Sequence, residues 1–172
     1  GMEPQDYPQA PRVIDAQVSY IMDSMLKDVV KRGTATKAKV LQRGDLAGKT
    51  GTTNNATDAW FAGYGGDLVA VAWLGFDDTT TLGRQEFGGT AALPVWIEFM
   101  RQALRERPEI NLPQPPGLVT VRIDPDTGKR ADASTANAIY EIFRSDQIPQ
   151  DNAKDIQSPW QSSDEVRTET IF

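Results

Sequence analysis

Cysteine and histidine are both missing from the 172 residues. Without thiols there is no disulfide framework, no thiolate nucleophile and no cysteine-based zinc or iron-sulfur site. Without imidazole there is no Ser-His-Asp arrangement. Whatever chemistry the chain supports must run on Ser, Thr, Lys, Tyr or carboxylates. Long basic runs are absent too, and 18 Lys+Arg stand against 24 Asp+Glu, a formal net charge of −6. No nucleic-acid partner is expected, because such binding rests on neutralising a phosphate backbone. The longest apolar stretches, Leu68 to Phe76 and Ala91 to Pro94, fall well short of the ~20 residues that span a bilayer, and no charged-then-apolar signal pattern opens the chain. Gly1-Met2 reads as a cloning remnant, which implies a piece of something longer.

What is present is ordinary globular composition, 39% hydrophobic and 24% charged, at a length that suits one domain with a small appendage. Residues 1–14 are proline-rich and read as a lead-in. Asp15 can cap a helix that runs to Arg32 and stops at Gly33, with Val18, Ile21, Met22, Met25, Leu26 and Val29 as its apolar face. Three strands follow, Lys49 to Thr53, Asp58 to Gly63 and Leu68 to Phe76, separated by turns at Asn54-Asn55 and Gly65-Gly66-Asp67. The third lacks alternation, so it is expected to be central and covered on both faces. From Thr90 to Arg107 a second helix packs through Ala92, Leu93, Trp96, Phe99, Met100, Ala103 and Leu104, leaving Glu98, Arg101, Gln102 and Arg105 in solvent. These elements make residues 15–107 the main domain. Residues 108–117 carry four prolines and form a stiff connector. Residues 118–143 form a small β appendage, with strands Leu118 to Ile123 and Ala138 to Phe143 around a turn at Asp124 to Gly128. Residues 144–172 are polar and expected to be mobile.

The chemistry-bearing stretch is Lys49-Thr50-Gly51 with Thr52 and Thr53. On a strand, Lys49 and Gly51 point one way while Thr50 and Thr52 point the other. Hydroxyls can bind a ligand carboxylate, the ammonium lends positive potential, and glycine permits close approach. Such a strand can accept a peptide as an added strand. Four other features compete for attention. Ser24-Met25-Leu26-Lys27 has the Ser-x-x-Lys spacing by which a desolvated lysine can activate a serine, but on the helix above both residues lie opposite the apolar stripe, in solvent. Asp77-Asp78 is read as a solvated strand end rather than a metal site. Trp60-Phe61 and Trp96-Ile97 are read as core packing rather than a sugar-stacking platform. Asp124-Pro125-Asp126-Thr127-Gly128 is read as a β-turn rather than a calcium loop. No metal or cofactor is expected.

The surroundings of the tripeptide carry more than the tripeptide. Gly48-Lys49-Thr50-Gly51-Thr52-Thr53-Asn54 is followed by Asp58, Trp60-Phe61, Gly63 and Gly75-Phe76-Asp77-Asp78, then by Gly88-Gly89-Thr90-Ala91-Ala92, Pro94, Trp96 and Phe99-Met100. In this order, from about Ala38 to Leu104, the stretch resembles the C-terminal part of the transpeptidase domain of class A penicillin-binding proteins, the bifunctional peptidoglycan synthases. The resemblance extends more weakly back to Arg12, through Lys31-Arg32-Gly33-Thr34-Ala35, and forward to Ala131. It implies an α+β fold, a partial antiparallel sheet of the penicillin-binding and serine β-lactamase type packed with helices. Of the family's three motifs, Ser-x-x-Lys, Ser-x-Asn and Lys-Thr-Gly, it implies that Lys49, Thr50 and Gly51 are the third. Thr52 would then bind the substrate carboxylate through its hydroxyl and supply an oxyanion-hole donor through its backbone N–H. No Ser-x-Asn occurs, and the family's nucleophile lies far upstream of Lys-Thr-Gly, so the chain is expected to be inactive alone. The implied partners are peptidoglycan stem peptides, β-lactams and the upstream part of the same domain, at the periplasmic face of the bacterial inner membrane. Two strands of the family's sheet would be missing beyond Leu68 to Phe76, which predicts a bare edge and a homodimer sealing it. The rival reading is a non-catalytic periplasmic interaction module of the cell-wall machinery.

Overall fold

The computed structural model describes residues 11–150; residues 1–10 of the expected lead-in (1–14) and residues 151–172 of the expected tail (144–172) lie outside them, while Arg144 of that tail closes a strand. The chain divides into two compact units, with the break between Val119 and Thr120. The fold is α+β.

The first unit is built on a three-stranded antiparallel sheet in the order β1 (Ala47–Thr52), β2 (Asp58–Gly65) and β3 (Leu68–Gly75). Strand β1 thus begins two residues earlier than the Thr-rich run suggested, because Ala47 and Gly48 are already paired with Tyr64 and Gly63. A two-residue turn, with Gly66 at a φ of 57°, closes the β2–β3 hairpin. On one sheet face, β2 and β3 present Ala59, Phe61, Ala70 and Ala72 to α2 (Leu93–Ala103), which buries Leu93, Trp96, Ile97 and Met100. Phe61 meets Trp96 edge-on at 4.9 Å between ring centroids, and the Trp96 indole N–H donates to the Ala70 carbonyl. The apolar side chains exclude water here while the indole donor stays satisfied. Phe99, expected to pack, points to solvent, and Ile97 takes the inward place. A π-turn over Gly88–Ala92 precedes α2, so the helical segment starts before Thr90 and ends at Ala103 rather than Arg107.

The first helix, α1 (Ala16–Lys31), is capped by Asp15, whose carboxylate accepts from the amides of Gln17 and Val18. Half of its predicted face is turned inward, with Ile21, Leu26 and Val29 half-buried and Val29 packed against the core, and half is not. Val18, Met22 and Met25 are exposed, while Asp23 and Val30 are buried. The displaced half follows from polar pairing. Asp23 accepts from the Tyr64 hydroxyl at 2.8 Å and pairs with Lys27 at 2.8 Å, and Lys27 also donates to Asn111. Once satisfied in this way, charged groups tolerate the interior that periodicity assigned to methionines. Lys27 is therefore not the solvated residue expected, its side chain being only 12% exposed.

Strand β3 is not central. Among the described residues it is an edge strand, and its outer face is open, with Val69, Val71 and Trp73 exposed. Trp60 also lies on this open face, 6.0 Å from Trp73 between centroids, so only Phe61 of the Trp60-Phe61 pair is core.

The proline-rich stretch 108–117 is strapped to the first unit. The Pro108 carbonyl accepts from Arg43, the Ile110 amide donates to Asp45, and the Pro116 carbonyl accepts from Gln17. Asp45, with its side chain fully buried, also accepts from both arms of Arg43 and from the amide of Gly66. Burial pushes its carboxyl up, but the Arg43 guanidinium and the Ile110 and Gly66 amides outweigh this and hold it below the usual carboxylate range.

The second unit holds a two-stranded sheet of β4 (Leu118–Ile123), whose first two residues precede the break, and β5 (Ile139–Arg144). Residues 124–128 form a tight turn in which the Asp124 carboxylate accepts from the Asp126 amide and the Thr127 hydroxyl and the Gly128 amide donates to the Asp124 carbonyl. Its oxygens are occupied as turn acceptors, as an Asx-type turn requires.

Candidate functional site

Strand β1 is the other edge of the three-stranded sheet, and its hydrogen-bond phase decides what it offers. Thr53 donates its amide to the Asp58 carbonyl. With Thr52 opposite Ala59 and Lys49 opposite Ala62, antiparallel alternation sends the backbone groups of Lys49 and Gly51 to β2 and those of Thr50 and Thr52 to the free side. The Lys49 ammonium agrees with this phase. It wraps over the edge to donate to the Thr50 carbonyl at 2.8 Å and lies 3.4 Å from the Thr50 hydroxyl. Lys49, Thr50 and Thr52 thus converge on one edge, with Lys49 and Thr52 exposed and Thr50 half-buried.

The hydroxyls are individually anchored. Thr50 Oγ1 lies 2.8 Å from Thr34 Oγ1, in the loop after α1. Thr52 Oγ1 accepts from the amide of Gly88 at 3.1 Å. Gly88 reaches this position because it has no side chain, since a Cβ there would stand 2.4 Å from the Trp60 carbonyl oxygen and 2.6 Å from that of Gly51. Gly51 itself is crowded from the open face, where a Cβ would lie 3.2 Å from that of Trp60. The arrangement is an extended edge bearing an ammonium, oriented hydroxyls and, among the described residues, strand amides without a strand partner. In chemical terms it can receive an extended peptide and hold a carboxylate at its end.

The other candidates are placed elsewhere. Ser24 is half-buried on α1, and the recorded partners of the neighbouring Lys27 are Asp23 and Asn111. Asp77 and Asp78 are exposed beyond β3, and no group of three or more metal-capable side chains occurs among the described residues. Near α1 a cleft of about 410 Å³ is lined by Val18, Met22, Tyr64 and Ile110 with Asp23; burial and the Asp23 carboxylate raise the Tyr64 phenol well above its ordinary value, so it stays protonated. No helix among the described residues is long and apolar enough to cross a membrane. Thr34 and Gly88 are the members of the edge that sequence reading left out as site residues. Their sole signal was inclusion in the wider stretch that carries the family resemblance.

Comparison with known proteins adds a second line of observation. Residues 3–95, more than half of the chain, match the penicillin binding protein transpeptidase domain family, and residues 114–156 match the family described as the C-terminal domain of penicillin-binding protein 1A. The chain is similar to penicillin-binding protein 1A of Pseudomonas aeruginosa, 53% identical over 140 residues that make up 81% of this chain and 17% of that protein. To penicillin-binding protein 1A of Neisseria lactamica it is 48% identical over 110 residues, 64% of this chain and 14% of that protein. The crystal structure of penicillin-binding protein 1A from Haemophilus influenzae superimposes with a TM-score of 0.74 at 36% identity, over 82% of this chain and 22% of that one. The chain therefore spans less than a quarter of the length of these relatives.

Proposed function

Since the chain belongs to the penicillin-binding protein transpeptidase domain family, we propose that it supplies the Lys-Thr-Gly wall of a D,D-transpeptidase site in a bifunctional peptidoglycan synthase, the reactive serine coming from polypeptide upstream of Gly1. The observation that carries this reading is the free edge of β1, where Lys49, Thr50 and Thr52 converge. A stem peptide ending in two D-alanines lies along that edge as an added strand. Its terminal carboxylate is held by the hydroxyls of Thr50 and Thr52 in the field of Lys49. The upstream serine Oγ forms a bond to the penultimate D-alanine carbonyl, the peptide C–N bond breaks, and the terminal D-alanine leaves with a proton on its amine. An amine of a neighbouring stem peptide then resolves the ester, and β-lactams stop the sequence at the acyl-enzyme. The Thr52 amide, directed away from β2, supports the role of oxyanion donor. One such donor is worth about 3 kcal/mol in the transition state.

Alone, the chain is inactive, because losing the nucleophile of a covalent mechanism costs about six orders of magnitude. Fluorescent penicillin tests this. The chain by itself is expected to remain unlabelled, and addition of the upstream polypeptide is expected to restore covalent labelling at a serine of that partner. Labelling of the chain alone that disappears in Ser24→Ala would overturn the assignment. The parent acts at the periplasmic face of the inner membrane in this reading.

A second reading, a non-catalytic interaction module, is favoured by the open face of β2 and β3, where Trp60, Trp73, Val69 and Val71 are exposed. Exposed apolar patches of this kind mark association surfaces. In the isolated chain a second copy seals the bare edge of β3 beside this face, so light scattering is expected to report a dimer or larger species; a monodisperse monomer would remove this part of the proposal.

A further inference from the structure

We infer that Thr34 is a positioning residue of the same site, orienting the Thr50 hydroxyl toward the ligand; the inference rests on the transpeptidase reading above. Thr34 comes from the loop between α1 and the 3₁₀ turn over residues 36–41, far from β1 in the chain, yet its Oγ1 lies 2.8 Å from Thr50 Oγ1. A hydroxyl alone on a strand edge rotates freely about its C–O bond. Two hydroxyls sharing one hydrogen bond do not, since fixing which oxygen donates fixes where the other proton points. The Lys49 ammonium, 3.4 Å from Thr50 Oγ1, biases that choice, because a cation is best served by an oxygen presenting its lone pair. With one lone pair of Thr50 toward Lys49 and the other accepting the Thr34 proton, the Thr50 proton is left for a carboxylate.

The loop is built to hold this geometry. Ala35 is fully buried, and its amide donates to the Val29 carbonyl in the last turn of α1. On the other side the Gly88-Gly89 segment closes down on it, since a Cβ at Gly89 would lie 2.9 Å from the Thr34 carbonyl oxygen. Thr34 is thus fixed by backbone contacts on both sides, while its own hydroxyl remains at the exposed edge.

The test uses the longer penicillin-binding protein that carries this chain and reads the second-order rate of acylation by fluorescent penicillin. Thr34→Val, which keeps the shape and removes the hydroxyl, is expected to slow acylation about tenfold, the scale of one lost hydrogen bond to a charged ligand. Thr34→Ser is expected to restore the rate to within about twofold. In a Thr50→Val background, Thr34→Val is expected to add less than about twofold, because a residue acting through Thr50 has nothing left to act on. Unchanged acylation in Thr34→Val overturns the inference, as does an equal loss in both backgrounds, which would mark Thr34 as a structural residue. An unmutated protein that penicillin does not acylate would bring down the transpeptidase reading itself, and the role of Thr34 with it; acylation that depends on Lys49 but not on Thr34 would bring down the second alone.

Discussion

The two edges of the three-stranded sheet differ in kind. The β1 edge carries an ammonium, hydroxyls and strand amides, and each side chain there has a partner that fixes its orientation. The β3 edge carries Val69, Val71 and Trp73 on an open face, with Val69 exposed to 77%. Among the described residues both edges leave strand groups unpaired, and such groups are a hazard unless something manages them. In the function proposed above, the polar side chains of β1 make its edge a receptor for one polar, extended ligand, and the apolar ones of β3 offer a surface for association. On that reading side-chain chemistry, rather than backbone pairing, separates the two edges.

Substitutions can break or sharpen this contrast, and the largest effect is expected behind both edges. Asp45→Asn removes the charge on which Arg43, the hairpin turn and the strap at Ile110 converge. Breaking a buried pair costs about 3–5 kcal/mol, and urea unfolding of the longer protein measures it; a loss below about 1 kcal/mol would mean that the carboxylate is not the shared anchor. The pH dependence follows from the same group. Its carboxyl is held below the ordinary value of 3.8, so its contribution is fully present above about pH 4 and is lost as pH falls through the lower folded value. Between pH 5 and 2 the stability of Asp45→Asn is accordingly expected to fall less steeply than that of the unmutated protein.

At the β1 edge the expected effect is on rate alone. Lys49→Ala is expected to slow penicillin acylation of the longer protein by about 100-fold. The side chain is exposed, so the unfolding free energy is expected to move by less than about 0.5 kcal/mol. A comparable loss in stability would show that the edge is structural and would erase the contrast with β3. The smallest energetic change is expected at the β3 edge. Val71→Lys, at an exposed position, should alter stability by no more than about 0.5 kcal/mol, yet it should shift the sedimentation of the isolated chain toward monomer. Unaltered sedimentation would place the association surface elsewhere.

Much of this architecture could be read from the residues. Asp15 marks its helix start through an oxygen that two amides need, and the Gly66-Asp67 turn is announced by a residue able to adopt a positive φ. The Thr-rich run showed β1 because β-branched residues favour a pleated strand. The faces were harder. An apolar run such as Leu68 to Gly75 looks the same whether both sides are covered or one is open, so periodicity could not expose Val69 and Val71. On α1 the same periodicity favoured Met22 and Met25, whereas the interior was taken by Asp23 and Lys27, whose partners Tyr64 and Asn111 are distant in sequence. Thr34 was out of reach for that reason too. The role proposed for it depends on a hydroxyl 16 residues along the chain that only the folded loop brings within 2.8 Å.

The Asp45 carboxylate also says where this piece of polypeptide can be shortened. Helix α2 ends at Ala103, and a trim just after it would look harmless on a secondary-structure diagram. Such a trim would delete the Pro108 carbonyl and the Ile110 amide, leaving Arg43 and Asp45 to face water where the strap had lain. The cooperative body that presents Lys49 therefore reaches at least to Ile110, and a usable cut belongs on the far side of that residue.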